Sequence, residues 1–262
     1  MLFEQYLLRN QLLNDSKTLL HSYSDANKLS SSQNDSLNYY FGKTYYQLEN
    51  FDSSKYFFAK VSTYSYLYTE SCLTKSYISM STGDTNNLQQ DIEKIHCYDK
   101  KSEEFLNFTK ASVYVMERDT INFNKCKRFF SNDYPDLSES EKKLISIKNN
   151  LPYYHKSGFI AGTLSAIIPG LGKIYAGKPK QGLVSFLPIV FLGLQTYEVY
   201  INKNGGIKSP WFIANAGLFA VFYIGNIWGS ALSVSVKRNE LYHEVNDQIL
   251  LNLHIPLQKF YN

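Results

Sequence analysis

The sequence predicts an all-α chain in two parts: an N-terminal helical-hairpin solenoid, then a C-terminal transmembrane helical hairpin preceded by a short broken helix. Three observations predict it. Of the fourteen glycines, only Gly42 and Gly83 precede Ser157; the other twelve lie between Gly158 and Gly229, together with both tryptophans. Three uncharged runs, residues 157–172, 181–197 and 210–234, fall in the same stretch. Before them, turn-forming residues recur near Asp15, Glu49, Gly83 and Glu117, 34 residues apart, between segments of helical apolar spacing. The expected boundaries are 1–150 for the hairpins, 151–238 for the membrane part and 239–262 for an amphipathic C-terminal helix.

The totals agree with a chain of two characters. A length of 262 residues accommodates one or two domains. The mean hydropathy of −0.30 averages a polar, Tyr- and Lys-rich front with an apolar back. The net charge is +4, and its lysines are dispersed, a weak footprint for nucleic acid. Basic residues flanking apolar runs answer instead to membrane orientation. Cys72, Cys97 and Cys126 are odd in number and widely spaced, which fits buried thiols of a reduced protein better than a disulfide or a metal set. Glu4, Gln5, Arg9 and Asn10 interrupt the apolar start, so it does not read as a signal peptide; a leader is either absent or precedes this sequence.

In chain order, residues 1–25 have helical apolar spacing with a break expected at Asn14-Asp15-Ser16. Residues 30–35 form a polar loop able to cap the next helix. Gly42, Tyr45, Phe51, Ser54 and Phe58 then stand at relative positions 0, +3, +9, +12 and +16, around a turn at Leu48-Glu49-Asn50. A small residue at 42 lets a second helix approach, and the aromatics fill the wedge. This spacing resembles the tetratricopeptide repeat, well at 38–61 and weakly in the other units over 5–133, which depart from the pattern at most aromatic positions; the bland alternative is a non-repetitive helical bundle. The resemblance implies a concave face that holds a protein partner. The tyrosines at 39, 40, 45, 46, 56, 64, 66 and 68 serve helix packing first and a binding surface second. Ser138-Glu139-Ser140-Glu141 is expected to cap a last helix ending at Asn149, before Pro152.

The third uncharged run is the clearest membrane segment. Its 25 residues reach roughly 37 Å as a helix, enough for a hydrocarbon core of about 30 Å. Trp211 and Trp228 suit a ring at each interface, and Asn215 and Asn226 share one face, where bonds to neighbouring helices are expected. The second run contains Pro188, a kink, and exits through a tight turn at Asn202-Lys203-Asn204-Gly205-Gly206. The first run has Gly158, Gly162, Ala166 and Gly170 on one stripe, but Pro169-Gly170 breaks it too early to cross alone. It either dips in and returns or forms half of a broken span continued to Ala176.

The stretch AGTLSAIIPGLGKIYAGKPKQGLVSF, followed by FYIGNIWGSALSV, resembles the bacterial glycine-rich membrane domain of the TM2-type and DUF5683 families. Pro169, Gly170, Gly172, Tyr175, Gly177 and Gly182 carry the motif, with Gly225, Asn226 and Gly229 in the last span; Lys173 replaces the usual Gln. The resemblance covers about residues 156–238 and implies a bacterial inner membrane location. The positive-inside rule places the loop holding Lys203 and Lys208 outside, against the many lysines near the other ends. A dipping first run then leaves the hairpin domain cytoplasmic, the side favoured here; a crossing one puts it outside. Leu241, Val245, Ile249 and Leu253 form an apolar stripe that packs on the hairpins or lies on the membrane.

No catalytic motif is present: there is no phosphate-binding loop, no nucleophile elbow and no zinc-hydrolase spacing. His96-Cys97, being adjacent, diverges on a helix. Lys173, Lys178 and Lys180 are explained by topology, with lipid phosphate as the other reading. No catalytic, cofactor or metal residue is therefore expected. The expected function is a non-enzymatic membrane-anchored scaffold that binds membrane lipid and a protein partner, near an assembly or insertion machine, with homo-oligomerisation open to it. The reading from another class is a small transport or lipid-handling membrane protein.

Overall fold

The computed structural model describes residues 2–26, 29–85, 87–202 and 206–260. Among them the regular structure is thirteen α-helices and one 3-10 turn, with no strand. The chain divides into two compact units. Unit 1 is Met1–Asn150 with Asn246–Asn262; unit 2 is Leu151–Val245.

Unit 1 begins with α1 (Leu2–Arg9) and α2 (Leu13–Ala26). The break between them lies at Gln11, whose φ is +57°, not at residues 14–16. Asn14 and Asp15 instead occupy the first turn of α2, where a carboxylate faces the helix's unpaired N–H groups. Ser16 turns inward, donates to Glu4 and meets the Thr44 hydroxyl at 2.8 Å. Helix α3 (Ser31–Gln47) starts at a capping box in which Ser30 and Gln33 exchange side-chain and backbone bonds. After Glu49, also left-handed at φ +57°, comes α4 (Phe51–Phe58), capped by Asn50.

The same design continues. Helix α5 (Tyr68–Thr82) ends on left-handed Gly83; α6 (Leu88–Glu93) is short; α7 (Lys100–Met116) is capped by Asp99. Left-handed Arg118 leads to α8 (Thr120–Lys127), capped by Asp119. Thus the left-handed turn residues Glu49, Gly83 and Arg118 are spaced by 34 and 35 positions. Helices α3 and α4, α5 and α6, and α7 and α8 pack as neighbours. Helix α9 (Pro135–Asn149) opens on proline, whose missing N–H is harmless at that position. The Ser138–Glu141 segment therefore lies inside α9 rather than capping it.

Unit 2 holds α10 (Gly158–Ile167), α11 (Leu171–Tyr175), α12 (Pro179–Asn202) and most of α13 (Pro210–Phe260). Among the described residues two helices are long and apolar enough to cross a membrane, and only 17% and 22% of their most apolar windows are buried. A core helix of a water-soluble domain would hide that surface. Leu183, Leu187, Phe191, Leu194, Ile213, Val221 and Ile224 are instead all exposed. The sequence places an amphipathic C-terminal helix as a separate element from 239. Helix α13 runs through that boundary without a break for 51 residues, because Lys237, Arg238, Asn239 and Glu240 change the solvent preference and not the helix propensity. Residues 203–205 of the expected exit turn lie outside the described residues; Gly206 has φ +49°.

Candidate functional site

Unit 1 holds a groove of about 1060 Å³. Residues of α1 to α5 and the end of α13 line it. Helix α3 contributes Tyr39, Tyr40, Lys43, Tyr46 and Gln47; α5 contributes Glu70, Thr74, Tyr77 and Ser81. Within each helix these positions recur at three- and four-residue steps, so each set is one helix face. Between helices, Tyr40 and Thr74, Lys43 and Tyr77, and Gln47 and Ser81 are each 34 residues apart. Each pair takes one residue from α3 and one from α5.

The groove is held in shape by polar pairs. Lys43 Nζ lies 3.0 Å from Glu70 Oε1, and the Glu70 side chain is almost wholly buried. Burial pushes the Glu70 carboxyl upward, while Lys43 and hydrogen bonds from Tyr39 and Lys43 pull it back. Gln5 of α1 donates to the Tyr40 hydroxyl at 3.1 Å. Burial raises the pKa of the Tyr40 and Tyr46 hydroxyls and so keeps both protonated. His254 of α13 stacks on Tyr77 with ring centroids 5.1 Å apart and sits 3.0 Å from the Tyr46 hydroxyl. The wall presents hydroxyl, amide and aromatic groups that can hydrogen-bond and stack. Among the described residues no three His, Cys, Asp or Glu side chains gather as a metal site.

The residues singled out in the sequence are brought together beside this groove. A methyl group on Gly42 would stand 2.6 Å from the Phe58 ring, so only glycine admits that ring at this distance. Ser54 donates to the Gly42 carbonyl at 2.8 Å, closing the crossing of α3 and α4. Tyr45 stacks on Phe57, interplanar angle 2°, and Phe51 lies against Tyr46. Tyr39 and Tyr40 are core residues, whereas Tyr56, Tyr64 and Tyr66 are exposed. Sequence reasoning missed Lys43, Glu70, Thr74, Tyr77 and His254. The polar spacing that pairs 43 with 77 was available; nothing local marked His254.

In unit 2 the motif residues form the packing centre. The chain leaves α10 at Ile167, turns at Pro169 and left-handed Gly170 (φ +82°), and comes back along α11. Its two ends meet: the Tyr154 hydroxyl donates to the Ala176 carbonyl at 2.9 Å, and Lys156 Nζ donates to the Tyr175 carbonyl. The broken segment thus returns to the end it started from. A methyl group on Gly172 would lie 1.8 Å from the Ala161 carbonyl oxygen, and one on Gly170 would lie 2.1 Å from that of Gly182. Gly177 is left-handed at φ +85°. The freed backbone groups at the turn find partners on α13 and within α10 itself. Gly172 N–H donates to Ser165 Oγ, which donates to Ser230 Oγ at 2.7 Å; Tyr223 donates to the Ala166 carbonyl. Asn226 donates to the Ser165 carbonyl at 3.5 Å, leaving its own buried Oδ1 unbonded among the described residues. Gly229 leaves room for the Lys173 stem; a methyl group on Gly225 would meet nothing within 4 Å.

Compared with family models, curated proteins and solved structures, the chain matches none of them.

Proposed function

We propose that the protein is a non-enzymatic, membrane-anchored scaffold. In this reading unit 1 is a tetratricopeptide-like array that holds a segment of a protein partner, and unit 2 is a TM2-like anchor in a bacterial inner membrane. The observation that carries it is the groove whose two rows repeat at 34 residues. A surface built twice in register is what stacked repeats present to an extended ligand. The anchor reading rests on the exposed apolar flanks of α12 and α13, on Trp211 and Trp228 at roughly 25 Å separation along one helix, and on the bonded state of the turn at Pro169-Gly170. Irregular backbone inside a bilayer persists only where protein satisfies it.

The test is photo-crosslinking in cells. A crosslinking amino acid at Tyr77, in the groove, is expected to trap one discrete partner. The same group at Tyr64, which is 94% exposed and outside the groove, is expected to trap none. Equal adducts at both positions, or none at Tyr77 with the chain at native abundance, would overturn the scaffold reading.

A further inference from the structure

We propose that the end of unit 2 where the broken segment returns is a headgroup site for anionic phospholipid, with Lys173 as its innermost contact. This rests on the membrane reading above and adds the lipid class. Three stretches far apart in sequence converge there: residues 154–156, 173–180 and 234–240. They bring Lys156, Lys173, Lys178, Lys180, Lys237 and Arg238 to one end, against the single carboxylate of Glu240, a balance of six positive charges to one negative. Glu240 is already shared, 2.6 Å from Lys178 and 3.8 Å from Lys237. Among the described residues Lys173, Lys180 and Arg238 have no acidic partner.

Lys173 is the unusual member. Its ammonium donates to Ser185 of α12 and passes Gly229 of α13, where a methyl group would stand 3.9 Å from Nζ. Gly229 lies five residues inside the end of the uncharged run at Val234, about 7.5 Å along the helix. An ammonium at that depth with one hydroxyl for company carries an unmet demand for an anion. A lipid phosphate is the anion available at the edge of an apolar belt, and the lysine stem reaches toward it. Next to Lys173 in the chain Ile174 packs against Gly182, and Ile174 and Leu183, both exposed, offer an apolar wall for an acyl chain. Free phosphate has no use for that wall. A zwitterionic headgroup brings its own cation into a field of five net positive charges, so a phosphatidylglycerol-type lipid fits best.

The experiment uses the full chain in neutral detergent, offered equal phosphatidylcholine and phosphatidylglycerol, with retained lipid counted by native mass spectrometry. The wild type is expected to retain phosphatidylglycerol in clear preference. Lys180→Gln with Arg238→Gln, two exposed positions, should lower that preference about fivefold per cation removed. Lys173→Gln should lower it further, and Lys173→Arg should restore it. Lys208→Gln, on a different stretch, should change nothing. Equal retention of the two lipids, a preference untouched by these substitutions, or displacement of the lipid by inorganic phosphate would overturn the site. Flotation with pure phosphatidylcholine vesicles separates the two claims. A chain that does not float refutes membrane insertion itself, whereas one that floats without a lipid preference refutes the headgroup site alone.

Discussion

One carboxyl group gives unit 1 a specific expected pH response. Glu141 on α9 is 2% exposed and its Oε1 has no hydrogen-bond partner among the described residues. Burial first, and then the charge of neighbouring Glu104, push it up to about 8. Glu104 is itself tied to Ser131, accepting from its N–H at 3.0 Å and its hydroxyl at 2.7 Å. Between the ordinary carboxyl value of 4.5 and about 8, the folded chain holds a proton that the unfolded chain releases. Stability therefore falls as pH rises through that window and levels off above it. Glu141→Gln is neutral at every pH, so its unfolding midpoint should vary less between pH 5 and pH 8, as read by circular dichroism. An unchanged slope would remove Glu141 from the explanation. The glycines divide in the same residue-level way. Gly42→Ala must displace the Phe58 ring and should cost about 1–3 kcal/mol, and Gly172→Ala must part α10 from α11 and should cost about 3 kcal/mol or more. Gly225→Ala enters open space within a helix and should be neutral or slightly stabilising. Thermal melts of the full chain in detergent rank the three; a Gly172→Ala variant as stable as Gly225→Ala would contradict the described packing.

Elements show which parts of the fold were legible in sequence. The turns near 49, 83 and 117 were legible because glycine, or a capping Asn or Asp beside a polar residue, marks where a helix must stop. Asn14-Asp15 misled because the same residue types that end helices also begin them, and the true break at Gln11 carries no such mark. The broken segment at 168–170 was legible from Pro169-Gly170, but its direction was not; that is decided by Tyr154, Lys156 and Tyr175 across 19 to 22 residues. Hidden too was the unity of α13, since periodicity reports a change of environment and not a change of conformation. Its last stretch belongs to unit 1 by packing. Ile249 and Leu253, one turn apart, are 0% and 1% exposed, Asn252 donates to the Ser140 carbonyl at 2.8 Å, and Lys259 faces Asp136 at 3.6 Å. Leu253→Ala should therefore cost about 2–5 kcal/mol. Leu251→Ala, at a position 57% exposed, should stay within about 0.5 kcal/mol. Chemical denaturation of the two variants checks the pair, and equal losses would mean that the stripe is not buried as described.

At the scale of the whole chain, the composition of unit 1 constrains topology. Its core draws on both sequence ends, up to Asn150 and again from Asn246, so in the membrane reading both must lie on one side of the bilayer. That requires an even number of crossings between them. Helices α12 and α13 supply two, and the segment through α10 and α11 supplies none, because it returns to its starting end. Charge then selects the side. Six basic residues gather at the end where that segment returns, so in the same reading the positive-inside rule predicts that this end faces the cytoplasm and that the loop carrying Ile207 lies outside. Two cysteine substitutions test this in a background with Cys72, Cys97 and Cys126 changed to serine: Tyr64→Cys in unit 1 and Ile207→Cys in the loop, both at exposed positions. A membrane-impermeant maleimide applied to intact cells should label Ile207→Cys at once and Tyr64→Cys only after permeabilisation. The reverse pattern would keep the even count and invert the assignment from charge. Labelling of both in intact cells would mean an odd number of crossings. It would then deny that the Pro169-Gly170 turn sends the chain back, and with it the reason unit 1 can be built from both ends of the sequence.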